Sequence, residues 1–202
     1  DLRAPAHAML LLTDLSRRDA LPPDRLLPEL RRLAERTLTL SEDFVQAARA
    51  QTRPLQRAPV AAAELLAEGV ADLRATAEDR GVELVVVAGP ALALDRALAA
   101  RAVANLVSNA VKHCPAGGEV LVRARHEDGG VLAIEVSDGG PGLAPDQAAA
   151  LAAGDEGVRV AGPGGVGLGL LFVQRVARRH GGTLQVAPGR PATLVLRLSG
   201  NP

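Results

Sequence analysis

The strongest constraint on this chain is an ordered series of three short motifs in its second half. The first is a helical run, Asn105–His113, in which two asparagines are four positions apart and therefore share one helix face. The second, Asp138–Gly142, is an aspartate followed by three nearly consecutive glycines at the end of an apolar run. The third, Gly165–Leu170, places glycines at the start of a predicted helix. In this order, the motifs predict a single nucleotide site.

Each motif carries chemistry suited to a different part of a nucleotide. The amide oxygens of Asn105 and Asn109 suit Mg²⁺, which prefers oxygen ligands and is usually shared with substrate phosphates. The carboxylate of Asp138 is suited to accept a hydrogen bond from the exocyclic amine of a base. Gly140 and Gly142 allow the backbone to approach that base closely and to adopt positive φ. Glycines at the start of the last helix leave backbone N–H groups open to phosphate.

Two other nucleotide-binding folds are excluded. Gly162–Gly167 fits the G-x-G-x-x-G pattern of dinucleotide-binding folds. That fold requires a strand directly before the pattern and a βαβ unit around it. Here a segment rich in alanine and glycine comes before the pattern, and the flanking predicted strands belong to hairpins. The P-loop pattern, G-x-x-x-x-G-K-[ST], does not occur in the sequence.

The three motifs resemble the N, G1 and G2 boxes of sensor histidine kinases. These kinases share an ATPase superfamily with gyrase and with the mismatch-repair and heat-shock ATPases. The resemblance extends from about residue 60 to residue 198. Asp1–Pro5 is also similar to the family's phosphoacceptor box, His-(Asp/Glu)-Leu-Arg-x-Pro, from its second position onward. We therefore expect the phosphoacceptor histidine immediately before Asp1, outside this chain.

The resemblance implies a role for each motif residue, with ATP and Mg²⁺ as cofactors. Asn109 is implied as the Mg²⁺ ligand and Asn105 as a support for the phosphates. Lys112 would meet a phosphate oxygen as a point charge, and His113 stands where the family usually has an aromatic ring near the nucleotide. Asp138 is implied as the adenine partner. The remaining implied nucleotide-binding residues flank or form the glycine clusters: Gly140, Gly142, Leu143, Gly165, Gly167, Leu168, Gly169 and Leu170.

The implied function is that of the cytoplasmic catalytic core of a bacterial two-component sensor histidine kinase. Such a core transfers the γ-phosphoryl group of ATP to a histidine and then to an aspartate of a response-regulator receiver domain. Asp1 is similar to the acid that orients or deprotonates that histidine. Without the histidine, the chain is expected to bind Mg-ATP but not to autophosphorylate. The alternative is a non-catalytic, nucleotide-gated interaction and dimerisation module.

Residues 1–53 are expected to form a helical hairpin that is separate from the nucleotide-binding part. Pro22 and Pro23 interrupt the helix between its two arms. Because two such helices cannot bury their apolar surface alone, we expect half of a dimeric four-helix bundle, and hence a homodimer. The alternative is an intramolecular hairpin packed on the rest of the chain. The second arm has a heptad seam: Leu26, Leu30, Leu33, Thr37, Leu40, Phe44 and Ala47.

The rest of the chain is expected to be a linker, residues 54–59, and an ATP-binding domain, residues 60–202. Residues 143–164 have no periodic apolar face and are interpreted as a mobile lid. The predicted fold class is α+β: the helical hairpin, then an α/β sandwich whose mixed sheet is covered by helices on one face. The apolar pattern predicts helices over 60–80, 94–111 and 167–180, and strands over 82–87, 119–125, 131–137, 184–186 and 193–198. The helix over 94–111 is expected to be capped near Asp95, and the strands over 119–125 and 131–137 are expected to form a hairpin.

Composition excludes several other classes of function. Among the 202 residues, the 23 basic side chains are balanced by 23 acidic ones, so no nucleic-acid partner is expected. Lys112 is the only lysine, which sets it apart from the arginines, and Cys114 is the only cysteine, which excludes an intrachain disulfide. No run of about 18 apolar residues occurs. We expect a cytoplasmic fragment, with any inner-membrane anchor in N-terminal regions outside the chain.

Overall fold

The computed structural model describes most of the chain after residue 53 and part of the chain before it. In the N-terminal part, residues 10–14 and 25–31 are helical. Most of the hairpin predicted over 1–53 lies outside the described residues. The described residues are 10–14, 22, 25–31, 33–34, 37–38, 41, 45, 54–87, 91–153, 168–189 and 191–200.

A five-stranded mixed sheet forms the centre of the fold, and the predicted α+β class is confirmed. The described residues form seven strands, of which five belong to this sheet: β1 (Arg57–Val60), β2 (Glu83–Val87), β3 (Leu92–Asp95), β4 (Glu119–Glu127), β5 (Val131–Asp138), β6 (Leu184–Ala187) and β7 (Ala192–Ser199). The sheet has the order β2–β4–β5–β7–β6. Strands β2 and β4 are parallel, and the other neighbours are antiparallel.

Helices cover one face of this sheet and enclose the core. They are α1 (Ala62–Val70), α2 (Arg74–Asp79), α3 (Arg96–His113), α4 (Pro145–Ala153) and α5 (Leu168–Arg179). The long helix α3 packs against α1 and α5 and lies on β4 and β5. Leu106 of α3, Ile134 of β5 and Phe172 of α5 are almost completely buried in this core. Among the described residues, no helix combines the length and the apolar character that crossing a bilayer requires.

The last three residues of the linker predicted over 54–59 form part of a strand. Arg57–Pro59 belong to β1, which pairs antiparallel with β3 in a separate two-stranded sheet. Pro59 is compatible with this strand because an edge strand does not need every N–H group. The helix predicted over 60–80 therefore starts later, at Ala62, and a short 3₁₀ turn at Ala71–Leu73 divides it into α1 and α2.

Part of the segment predicted as a mobile lid is helical. Pro145 opens α4, where a proline is well tolerated because the first N–H group of a helix has no internal partner. Leu151 is 4% exposed and joins the core, and its carbonyl accepts a hydrogen bond of 3.1 Å from Gln174 Nε2 of α5. With this single buried residue, α4 shows no periodic apolar face. Residues 154–164 lie outside the described residues.

A buried polar cluster joins the ends of β3, α3 and α5. Asp95, only 1% exposed, caps α3 as predicted, with its Oδ1 accepting from Leu98 N at 3.2 Å. Its Oδ2 accepts from Gln56 N at 3.0 Å. The backbone N of Asp95 donates to His180 Nε2 at 3.1 Å, and His180 Nδ1 lies 2.8 Å from Val176 O. These contacts require a neutral imidazole that carries its proton on Nδ1.

This cluster predicts a pH-dependent stability. Burial lowers the pKa of His180 from its ordinary value. The unfolded chain binds this proton near pH 6.5, where the folded chain stays neutral. As the pH is lowered from about 6.5, the free energy of unfolding should therefore decrease, by at most about 1.4 kcal/mol per pH unit. The decrease should stop once the pH reaches the lower pKa that His180 has in the folded chain.

Urea unfolding between about pH 7.5 and pH 5 measures this slope, and His180→Gln should remove its share of it. The matched control is His126→Gln, at an exposed histidine near the end of β4, which should keep the slope. An identical slope in His180→Gln and the wild type would contradict the assignment.

Candidate functional site

A cavity of about 560 Å³ opens between the C-terminal end of α3, the loop after β5, and strands β6 and β7. Its size lies within the usual range for small-molecule sites, and its walls combine apolar side chains with a few polar groups. The lining residues are Asn109, His113, Asp138, Pro141, Gly142, Leu143, Ala144, Pro145, Gln147, Val186, Ala192, Thr193 and Leu194.

Five residues that the sequence analysis singled out meet in this cavity. Asn109 and His113 come from one face of α3 and are half-buried. Asp138 ends β5, and Gly142 and Leu143 follow it in the loop. They meet because α3 lies on β5, which brings the end of the helix to the end of the strand.

Asp138 is held as a partly dehydrated hydrogen-bond acceptor. Its Oδ1 accepts a hydrogen bond of 2.7 Å from Gly140 N. Burial raises the pKa of Asp138 from its ordinary value, and the Gly140 hydrogen bond opposes this change. A half-buried carboxylate fixed in this way is suited to bind an N–H group in the cavity, since hydrogen bonds with an ionised partner are the stronger ones.

Gly140 fixes the spacing between the end of α3 and the loop after β5. A Cβ atom added at Gly140 would lie 2.5 Å from Asp138 Oδ1 and 2.7 Å from His113 O. Only glycine allows this approach, so the two sides of the cavity stay in contact. Gly142, with φ of +74°, then turns the loop next to Ala192, to which an added Cβ would come within 3.3 Å.

Asn105 lies outside the cavity lining and next to the start of α5. A Cβ atom added at Gly169 would lie 3.7 Å from Asn105 Cγ, so the first and third motifs are adjacent. Within the part of the chain that the structure describes, the buried Nδ2 atom of Asn105 has no hydrogen-bond partner. Such buried donors are uncommon in folded proteins. A donor beside a helix N-terminus favours an anionic oxygen.

The other predicted site residues that the structure describes do not line the cavity. Lys112 is exposed on α3, whereas Leu170 is 5% exposed and packs in the core. Leu168 is the first residue of α5. Asp1, Gly165 and Gly167 lie outside the described residues.

The wall of the cavity formed by β6, β7 and α4 was not predicted from the sequence. In this wall, Thr193 Oγ1 lies 2.8 Å from Ser137 Oγ and donates to Pro191 O at 3.1 Å. The antiparallel register of β5 and β7 places Asp138 opposite Ala192 and Ser137 opposite Thr193. This register could have identified the wall. It cannot be read from the sequence, because β5 and β7 are far apart along the chain and their pairing is known only from the structure.

The sheet, the helices on one of its faces and the Asp138 cavity define a two-layer nucleotide-binding domain. Residues 94–201 match the family described as Histidine kinase-, DNA gyrase B-, and HSP90-like ATPase, and the chain belongs to this family. The match includes all three motifs of the sequence analysis. The predicted resemblance to a sensor histidine kinase ATP-binding core is confirmed.

Similar proteins agree with this assignment. Histidine protein kinase DivJ of Caulobacter vibrioides is 33% identical over 98% of this chain, which spans 35% of DivJ. The structure of full-length ShkA in complex with AMPPNP has a TM-score of 0.69 and 27% identity, over 86% of this chain and 37% of ShkA. Histidine kinase ThkA in complex with the response regulator TrrA has a TM-score of 0.78 over 99% of this chain and 59% of ThkA. At 12% identity, the likeness to ThkA shows the fold alone.

The close approach at Gly140 predicts different effects of the same substitution at two neighbouring glycines. Gly140→Ala should lower the free energy of unfolding by about 1–3 kcal/mol, because the methyl group meets backbone and a fixed carboxylate. Gly139→Ala is the control, since its added Cβ would find its nearest neighbour, Pro115 Cδ, at 3.7 Å. It should change stability by less than about 0.5 kcal/mol.

Urea unfolding and calorimetric titration with AMPPNP measure the two effects. Gly140→Ala should also weaken nucleotide binding, because the cavity wall must shift. Equal stability and equal affinity of the two variants would contradict the role given to Gly140.

Proposed function

We propose that this chain is the ATP-binding catalytic core of a two-component sensor histidine kinase. The reaction is transfer of the γ-phosphoryl group of ATP to a histidine of the whole protein and then to an aspartate of a response regulator. The observation that carries the proposal is the cavity in which Asp138 meets the Asn109 and His113 face of α3. The match to the histidine protein kinase DivJ supports the choice of reaction.

The cavity suits adenine better than guanine. Val186 and Leu194 supply apolar surface for a flat ring, and Asp138 supplies an acceptor beside them. An ionised carboxylate accepts hydrogen bonds but donates none. It therefore pairs with the exocyclic amine of adenine and is repelled by the carbonyl oxygen that guanine has at the same ring position. Asp138 thus selects the base.

The triphosphate would extend from the cavity towards the start of α5. The Asn109 side-chain oxygen is of the kind that Mg²⁺ prefers, and bound Mg²⁺ would neutralise charge on the β- and γ-phosphates. Nδ2 of Asn105 has no hydrogen-bond partner among the described residues, and it would bind phosphate oxygens together with the first N–H groups of α5. Lys112, exposed on the same helix as both asparagines, would add a positive charge near them.

In the transfer step, an imidazole nitrogen attacks the γ-phosphorus and the bond to the β-phosphate oxygen breaks, which releases ADP. The proton on the other ring nitrogen of the imidazole passes to a nearby carboxylate, which acts as a base, or to water. We propose that this carboxylate is that of Asp1, next to the acceptor histidine. Such reactions depend mainly on positioning and on charge stabilisation. The second acceptor would be a response-regulator receiver domain, the partner that the resemblance to two-component sensor histidine kinases implies.

A non-catalytic, nucleotide-gated module is the weaker alternative, because DivJ is itself a histidine protein kinase. Phosphorylation separates the two. A protein extended to include the residue before Asp1 is incubated with γ-labelled ATP, and acid-labile label should appear on a histidine. Asp138→Asn in the same protein should reduce that label.

On the 202-residue chain, Asp138→Asn should weaken AMPPNP binding by about 1.5–3 kcal/mol in calorimetric titration, the range for hydrogen bonds to charged groups. Asp72→Asn, on the exposed 3₁₀ turn, is the control and should bind normally. Tight AMPPNP binding without any labelled histidine would favour the non-catalytic module.

We also propose that residues 1–53 form the interface of a homodimer. Leu33 of the heptad seam is 6% exposed. In the described part of this segment, four leucines outside the seam are 62% to 67% exposed: Leu10, Leu11, Leu27 and Leu38. Apolar side chains concentrated on helical segments are typical of a contact with another copy in a four-helix bundle.

Light scattering should therefore give the mass of a dimer that dissociates on dilution. Leu27→Glu combined with Leu38→Glu should shift the equilibrium to the monomer, because charges would be buried in the interface. Val87→Glu is the control, since Val87 is 43% exposed but lies on the edge strand β2. A wild-type mass equal to one chain at all concentrations would favour the intramolecular hairpin.

A further inference from the structure

Arg80 connects the end of α2 to the end of α3. Its Nε atom donates to Val111 O at 3.1 Å, and its Nη2 atom donates to Lys112 O at 3.1 Å. The backbone N of Arg80 is itself held by Ala77 O at 3.1 Å. The backbone of Arg80 is therefore anchored, and its guanidinium group binds two successive carbonyls in the last turn of α3.

These two carbonyls need partners from outside the helix. In a continuing helix, Val111 O would accept from the N–H group of Pro115, but proline has none. The preceding carbonyl, Ala110 O, is satisfied by Cys114 N at 2.8 Å. Arg80 Nε therefore replaces the donor that Pro115 lacks. Its positive charge also suits the negative end of the helix dipole.

The turn that Arg80 closes is the turn that reaches the cavity. Asn109 and His113 line the cavity from the last five residues of α3. The carbonyl of His113 also lies against Gly140, next to the Asp138 carboxylate. A displacement of this turn would therefore change both the α3 wall of the cavity and its contact with the loop after β5.

The path of the chain around this point does not depend on the guanidinium group. Gly117 N donates to Gly81 O at 2.9 Å, and Glu83 N donates to Gly118 O at 2.9 Å. These backbone hydrogen bonds join the segments after α2 and α3 whatever side chain stands at position 80. Losing the Arg80 side chain should therefore loosen the last turn of α3 without unfolding the domain.

We propose that Arg80 is a positioning residue for the nucleotide site, which it serves by capping the C-terminal end of α3. The inference rests on the proposed nucleotide-binding function. Arg80 contacts helix carbonyls rather than the cavity, so it acts through Asn109 and His113. Loss of Arg80 should mainly reduce the part of the nucleotide affinity that depends on Mg²⁺. Asn109, the proposed Mg²⁺ ligand, lies on α3, which Arg80 caps, whereas Asp138 lies on β5.

The test compares Arg80→Gln, Arg80→Lys and the control Arg74→Gln by calorimetric titration of the 202-residue chain. Arg74 is an exposed arginine of the same short helix. Each protein is titrated with AMPPNP in the presence of Mg²⁺ and again with a chelator. Arg80→Gln should weaken Mg-AMPPNP binding about tenfold, the effect of losing one charge-assisted hydrogen bond.

Arg80→Gln should lose much less affinity when Mg²⁺ is removed, so the gain in affinity that Mg²⁺ provides should shrink. Arg80→Lys should lie between the wild type and Arg80→Gln, because an ammonium group can still meet one carbonyl. Arg74→Gln should stay within about twofold of the wild type.

Three outcomes would overturn the inference. Unchanged Mg-AMPPNP affinity in Arg80→Gln would show that α3 does not need this cap. Equal losses with and without Mg²⁺, together with a lower melting temperature, would indicate general destabilisation rather than positioning. A wild-type chain that binds no AMPPNP would contradict the proposed function, and this inference would fall with it.

Discussion

The geometry of the nucleotide domain depends most on the buried carboxylate of Asp95. One oxygen caps the helix that carries the asparagines, and the other holds the backbone at Gln56, just before the first strand. The backbone N–H group of the same residue meets His180, at the end of the helix that starts with the third motif. A buried charge is tolerated only when its hydrogen bonds are made. Helices α3 and α5 and strand β1 are therefore set relative to one another by a single residue.

Helix α3, which begins after Asp95, carries the asparagines of the site and is held in place by the core. Its apolar face, with Leu106 and Val107, is fully buried in the core, so the helix cannot rotate without losing packing. The rest of its surface carries the asparagines, one near α5 and one in the cavity. The helix is closed at its first turn by the Asp95 carboxylate and at its last turn by a guanidinium group. The opposite charges of these two caps both match the helix dipole.

Local patterns in the sequence predicted the parts of the fold that local physics determines. The cap at Asp95, the β4–β5 hairpin and the shared face of the asparagines follow from residue types and spacing. Strand β1 was missed because it is four residues long, includes Pro59 and becomes regular only when paired with β3. Helix α4 was missed because it buries one residue, Leu151. The wall around Thr193 depends on a strand register that no local pattern contains.

The separate two-stranded sheet has a mechanical consequence. A force applied to the chain at residue 54 acts first on the hydrogen bond from Gln56 N to Asp95 Oδ2. It next meets the pair of Arg57 with Asp95, the outermost rung of the β1–β3 ladder. Neither contact belongs to the five-stranded sheet. The side chain of Arg57 reaches that sheet at one point, where its Nη1 donates to Ser199 O at the end of β7 at 2.7 Å. A pull on the N-terminal segment is thus delivered to the first turn of α3 and to the last residue of β7.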